Sequence, residues 1–193
     1  MVEQQTDILR PETLIEEFQK NGVTHIITIP DSETNYLYEL MEKQESLDVV
    51  PVSREGESMS VALGLNVAGK VPVVLIQNTG MMESGDSIRG MALDAGFPLL
   101  MVVGYRGWTR KGNTPDSAAV YTEPFLNAFR LNYYLVEHDE DGRERPVDNA
   151  GGIRADQECF FARCRDGAHE GLFDRGSILE EGLANQIRGD LLP

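Results

Sequence analysis

Four short aliphatic runs, separated by helical patterns, constrain this chain more than any other feature. They are Val23 to Ile29, Val49 to Val52, Val71 to Ile76 and Leu99 to Val103. The third is nearly all aliphatic, which predicts a central strand buried on both faces. Pro11 opens a first helix with Leu14, Ile15 and Phe18 at amphipathic spacing, and Asn21-Gly22 stops it. Further helical patterns cover 33–43, 55–68, 83–94 and 123–131, and a short strand pattern covers Tyr133 to Val136. Cys159 to Cys164 reads as a final strand and Leu179 to Ile187 as a terminal helix. An order of βαβαβαβ predicts an α/β fold, with a mostly parallel central sheet and helices on both faces.

In such sheets ligands bind beyond the carboxyl ends of the strands. Polar residues gather at four of these exits: Asp31 and Ser32, Glu55, Gln77 to Thr79, and Arg106. A parallel sheet brings all four to one edge. Gln77-Asn78-Thr79-Gly80 reads as the exit loop of the third strand, and Thr109 to Ser117 as a polar loop. Ser32 is placed to cap the helix that follows it. The run Val52-Ser53-Arg54-Glu55-Gly56-Glu57 opens a helix rich in small residues, too apolar for a solvated face. A carboxylate there has two readings. It complements the positive helix N-terminus, or it handles protons.

Composition excludes several functions. The 193 residues carry a net charge of −15, which disfavours nucleic acid and anionic membranes as partners. Two cysteines with four residues between them make a poor zinc site and no disulfide framework, so a cytoplasmic setting is the expectation. No apolar run approaches a membrane span, and the polar, acidic N-terminus has no secretory pattern. His25, His138 and His169 have no serine or cysteine partner in a motif, so no triad is supported. No phosphate-binding glycine motif is present to support a flavodoxin-like nucleotide binder.

The four exits resemble the pyrimidine-binding (PYR) domain of thiamine diphosphate enzymes, above all the phosphonopyruvate and sulfopyruvate decarboxylases. Ile29-Pro30-Asp31-Ser32 is similar to that family's Gly-Val-Pro-Asp-Ser turn. Arg54-Glu55, with Gly64 nine residues on, matches its glutamate-to-glycine spacing. Gln77-Asn78-Thr79-Gly80-Met81 is similar to Gln-Asn-Ser-Gly-Leu, and Gly104-Tyr105-Arg106-Gly107 to Gly-Trp-Arg-Gly. The match runs from about 8 to 136, within a single PYR domain of flavodoxin-like three-layer architecture over 1–193, whereas 139–193 matches poorly.

The resemblance implies roles. Glu55, selected over Glu57 by its distance to Gly64, would bond the N1′ atom of the cofactor's aminopyrimidine and be the catalytic carboxylate. Such proton sharing is typically worth about 10²–10⁴-fold in rate. Gln77, Asn78, Thr79 and Gly80 would lie against the same ring. Asp31, Ser32 and Arg106 would meet the substrate, since the arginine fork suits a sulfonate or carboxylate. The plain alternatives are a turn and helix cap for Asp31 and Ser32, loop hydrogen bonds for 77–79, and an acidic partner for Arg106.

The family's Gly-Asp-Gly…Asn magnesium motif is missing, and Gly85-Asp86-Ser87 and Gly189-Asp190 do not fit it. No metal ligand is therefore expected here. Mg2+ and the diphosphate of thiamine diphosphate would sit on a PP-domain partner, the β subunit to this α subunit. PYR domains of the family also pair with each other, which implies a homodimeric core. The resemblance implies decarboxylation of a small 2-oxoacid of the sulfopyruvate decarboxylase kind; a phosphonopyruvate decarboxylase-like enzyme is one alternative, and a non-catalytic binding or regulatory protein of the same fold is the other. A lost histidine and the poorly matching C-terminal third motivate the non-catalytic alternative. Asn113-Thr114-Pro115-Asp116-Ser117 stands where the family has Asp-Glu-Pro-Gln-His, so its histidine is lost at Ser117. Glu83 stands where the family often has Asn.

Overall fold

The computed structural model describes residues 10–31, 35–109, 114–136 and 159–164. Six strands form one sheet: β1 (His25–Thr28), β2 (Asp48–Pro51), β3 (Pro72–Gln77), β4 (Leu99–Gly104), β5 (Asn132–Val136) and β6 (Cys159–Cys164). Their order is β2-β1-β3-β4-β6-β5. The first four are mutually parallel, and β6 runs antiparallel to both neighbours. The sheet is thus mostly parallel, with one reversed strand inserted near an edge. The terminal helix expected over 179–187 lies outside the described residues.

Alternation along each inner strand builds two cores. Ile27, Val74, Ile76, Met101 and Val103 face one way, against Met59, Ala62, Met81, Ile88 and Leu126. Ile26, Val73, Leu75 and Val102 face the other way, against Leu14, Phe18, Leu37 and Met41. Helices α1 (Pro11–Lys20) and α2 (Asn35–Met41) cover the second face. The first is covered by α3 (Glu55–Val67), α4 (Asn78–Glu83), the turn α5 (Gly85–Ser87) with the π-helical segment Ile88–Asp94, and α6 (Ser117–Ala128). Residues 72–76 of β3 are all buried, which is why that run has no polar alternation. Each such aliphatic side chain contributes about 1.5–3 kcal/mol on burial.

Two helices begin earlier than the sequence suggests. Residues 78–80 are not a loop: Gln77 leaves β3 extended and serves as the N-cap of α4 directly. The expected helix over 83–94 is interrupted at Ser84, whose hydroxyl donates back to the Gly80 carbonyl at 2.7 Å, and it restarts as α5 and a π-helical turn. Arg89 pairs with both Asp86 and Asp94, holding that turn from outside. Helix α6 starts at Ser117 instead of 123, because Asp116 accepts the Ala118 N–H at 2.9 Å and caps it. Pro124 then sits inside the helix, on its exposed side, and removes one backbone N–H donor from it.

The strand order 2-1-3-4 reverses between β1 and β3, so the crevice for a ligand lies beyond the carboxyl ends of that pair. Among the described residues, no helix is long and apolar enough to cross a membrane.

Candidate functional site

Register brings the four exits to one edge. Thr28 of β1 lies beside Pro51 of β2 and Leu75 of β3, and Gln77 lies beside Gly104 of β4. Asp31, half-buried, follows β1 toward this edge. Ser32 and its expected cap lie outside the described residues. His25 begins β1 at the opposite edge, with Nδ1 2.8 Å from the Thr24 hydroxyl and Nε2 3.6 Å from Asp48, as a satisfied edge residue.

The start of α3 holds the two glutamates differently. Its N-cap is Arg54, in an extended conformation, whose side chain has no acceptor for the free N–H groups of the first turn. Glu57 bends back and accepts the Ser53 N–H at 3.0 Å, so this exposed carboxylate is spent on the local turn. Glu55 is half-buried, and its carboxylate forms no hydrogen bond or ion pair with the described residues. Its side chain instead lies on the backbone of Gly80. A Cβ at Gly80 would stand 2.7 Å from Glu55 Oε1 and 2.9 Å from Cδ, distances real Cβ atoms do not tolerate. The small-residue face of α3 reaches outward at Gly64, where an added Cβ would meet nothing within 4 Å.

Around α4, the four expected cofactor residues divide. The Gln77 amide oxygen accepts the Thr79 hydroxyl at 2.8 Å, and both residues are half-buried at the edge. Gly80 is buried beneath Glu55. Asn78, expected against the same ring, is engaged differently from its neighbours. Its side chain is fully buried. It donates to the Arg106 carbonyl at 3.1 Å and the Thr122 hydroxyl at 3.0 Å, and accepts the Thr79 N–H at 3.0 Å. Asn78 therefore ties β3, α4, α6 and the loop after β4 together from behind.

Arg106 has the acidic partner that the plain reading allowed. Its Nε donates to Asp116 Oδ2 at 2.9 Å, with half of the arginine side chain exposed. The Ala118 N–H and then Arg106 hold the Asp116 carboxyl below its ordinary value. Gly107, at φ 82°, lets the loop close on this carboxylate. A Cβ there would lie 2.6 Å from Asp116 Cβ. Ser117, where the family histidine is missing, is the first residue of α6. Behind this loop, burial first and Glu123 second push the Tyr105 and Tyr133 hydroxyls above their ordinary range. Glu123 accepts both hydroxyls, at 3.3 and 3.1 Å.

Two residues that matter to the site were not singled out for it by the sequence. Asp116 carried a readable signal, an Asp before Ser-Ala-Ala at a helix start. Glu83 had none. It accepts the backbone N–H of Gly56 at 3.0 Å and pairs with Arg54, 29 residues away. Gly85-Asp86-Ser87 forms a helical turn whose aspartate pairs with Arg89. Among the described residues, no three His, Cys, Asp or Glu side chains are grouped to hold a metal.

An aminopyrimidine fits this edge on two grounds. Glu55 offers a carboxylate without a partner among the described residues, and Gly80, lacking a side chain, lets that carboxylate lie directly over the start of α4.

Known proteins agree in kind. The chain matches curated relatives named sulfopyruvate decarboxylase subunit alpha. That of Methanothermobacter thermautotrophicus is 29% identical over 86 residues, 45% of this chain and 52% of the relative. That of Methanococcus maripaludis is 23% identical over 124 residues, 64% of this chain and 74% of the relative. The chain spans about half the length of the first curated relatives it matches. A solved structure from Mycobacterium smegmatis, assigned to a thiamin diphosphate-dependent enzyme, aligns at TM-score 0.47 and 22% identity, covering 62% of this chain and 24% of its own. Residues 11–123, more than half of the chain and spanning all four strand exits, match the model of the thiamine pyrophosphate enzyme N-terminal TPP binding domain, and the chain belongs to that family.

Proposed function

We propose that this chain is the α subunit, a single PYR unit, of a thiamine diphosphate-dependent 2-oxoacid decarboxylase of the sulfopyruvate decarboxylase kind. The observation that carries the reading is the Glu55 carboxylate, half-buried, unpartnered among the described residues and seated on Gly80. The names of the curated relatives support the reaction class.

In this reading Glu55 holds a proton at the N1′ position of the aminopyrimidine. Gln77 and Thr79, bonded to each other, form the wall beside it, and Gly80 gives the Glu55 side chain its seat. Asn78 acts from behind, fixing that wall to α6 and the Arg106 loop. Bound thiamine diphosphate supplies the electron sink that loss of carbon dioxide requires. Asp31, Ser32 and Arg106 border the substrate side. Arg106 reaches a sulfonate or carboxylate by sharing or exchanging Asp116. Magnesium and the diphosphate belong to a PP-domain β subunit, with PYR units paired with each other, in the cytoplasm.

The test is co-expression with a chain carrying Gly-Asp-Gly…Asn, followed by carbon dioxide release from sulfopyruvate and, separately, phosphonopyruvate. Glu55→Gln is expected to lower turnover by about 10²–10⁴-fold. Undiminished turnover removes Glu55 from the mechanism. The lone chain is expected to bind thiamine diphosphate weakly in calorimetry; tight binding contradicts a site shared with a partner. No turnover of either acid by an intact complex favours a binding protein that keeps the fold.

A further inference from the structure

We infer that Glu83, at the last turn of α4, is a positioning residue for Glu55; the inference rests on the role proposed for Glu55. The first turn of an α-helix has N–H groups without an internal partner, and a side-chain acceptor at the N-cap ordinarily takes one of them. Helix α3 has an arginine there, which accepts nothing. Glu83 fills the place from a neighbouring helix. Its Oε2 accepts the Gly56 N–H at 3.0 Å, one residue beyond Glu55, and its Oε1 receives Arg54. A carboxylate near a helix N-terminus also complements the helix dipole.

The contact is one of two that lock the same pair of helices. Glu55 lies on Gly80 in the first turn of α4, and Gly56 is held by Glu83 in its last turn. With both in place, the first turn of α3 cannot rotate or slide along α4, so the Glu55 carboxylate keeps one placement over Gly80. Gly56 is part of the fit, because a Cβ there would lie 3.4 Å from Glu83 Oε2 and 3.3 Å from Ser87 Oγ. The ion pair itself is the lesser part. Arg54 is 73% exposed, and such pairs contribute little.

The experiment uses the complex with its PP-domain partner and four variants: Glu83→Ala, Glu83→Gln, Arg54→Ala and Glu55→Gln. Glu83→Ala is expected to lower kcat by about 10–100-fold, as misplacement of a reacting group does. KM for the 2-oxoacid should stay within about threefold by the same reasoning, since substrate contacts are untouched. Glu83→Gln keeps an acceptor for the Gly56 N–H and restores kcat to within about threefold of wild type. Arg54→Ala, which keeps the Gly56 bond, behaves like wild type.

Amide hydrogen exchange at Gly56, read by mass spectrometry, provides a readout independent of turnover. It accelerates in Glu83→Ala and stays protected in Glu83→Gln. The inference is overturned if Arg54→Ala and Glu83→Ala lose activity equally, if Glu83→Gln fails to recover, or if Gly56 exchange is unchanged in Glu83→Ala. Glu55→Gln separates this outcome from the underlying reading. A fully active Glu55→Gln removes the role of Glu55 and the positioning role with it. An inactive Glu55→Gln beside a fully active Glu83→Ala removes only the positioning role.

Discussion

Two carboxylates at the carboxyl edge of the sheet each lie against a glycine, and they have opposite fates. Glu55 rests on Gly80 and forms no hydrogen bond or ion pair with the described residues. Asp116 rests on Gly107 and is fully engaged, accepting the Ala118 N–H and the Arg106 guanidinium. The difference comes from what else is in reach. At α3, Glu83 takes the Gly56 N–H of the first turn and Glu57 takes the Ser53 N–H just ahead of it, which leaves Glu55 free of both. At α6, Asp116 is the N-cap and serves that turn alone. A carboxylate is available for proton chemistry where other groups have already capped the helix.

Exchanging the two glycines tests this contrast most severely. Gly80→Ala pushes Glu55 off its seat, because the new Cβ overlaps the middle of the side chain and not only its flexible tip. Turnover of the assembled enzyme should fall about 10²-fold. Stability should change by no more than about 1 kcal/mol, since alanine favours the helix that it strains. Gly107→Ala reverses the pattern. Its φ of 82° suits few other residues, and the added methyl meets Asp116. A loss of about 1–3 kcal/mol is expected in denaturant unfolding, with turnover per folded enzyme nearly intact. Equal effects on turnover from both variants would erase the distinction between the carboxylates.

The same contrast marks what the sequence reveals and what it hides. The aliphatic runs and the polar exits are local patterns, so the parallel sheet and the gathering of polar residues at one edge are legible in the sequence. Glu55 was separable from Glu57 only through the family resemblance, by its distance to Gly64. The roles of Asn78, Arg106 and Glu83 depend on partners 44, 10 and 27 residues away, beyond the reach of any periodicity. The insertion of β6 between β4 and β5 is hidden for a related reason: composition identifies a strand but not its neighbours. The start of α6 was obscured by Pro124, which reads as a first-turn residue and stands instead on the helix's exposed side.

The smallest expected effect concerns Asp116 and pH. Its carboxyl is held below the ordinary value of 3.8, first by the Ala118 N–H and also by Arg106. A group with a depressed folded pKa adds stability that is present above its unfolded pKa and disappears as pH falls through the folded one. Asp116→Asn keeps a good N-cap and removes only the charge. The thermal midpoint of the variant should therefore lie slightly below wild type at pH 7, and the gap should close as pH drops below about 4. Added salt should narrow it too, because the pair with Arg106 is half-exposed. Glu55 has no such partner, so Glu55→Gln should show no salt-dependent gap of this kind. Losing the Asp116 charge also releases Arg106. A fall in KM for an anionic 2-oxoacid in Asp116→Asn, beside unchanged stability at low pH, would assign Arg106 to substrate. An unchanged KM would leave the arginine as part of the α6 cap.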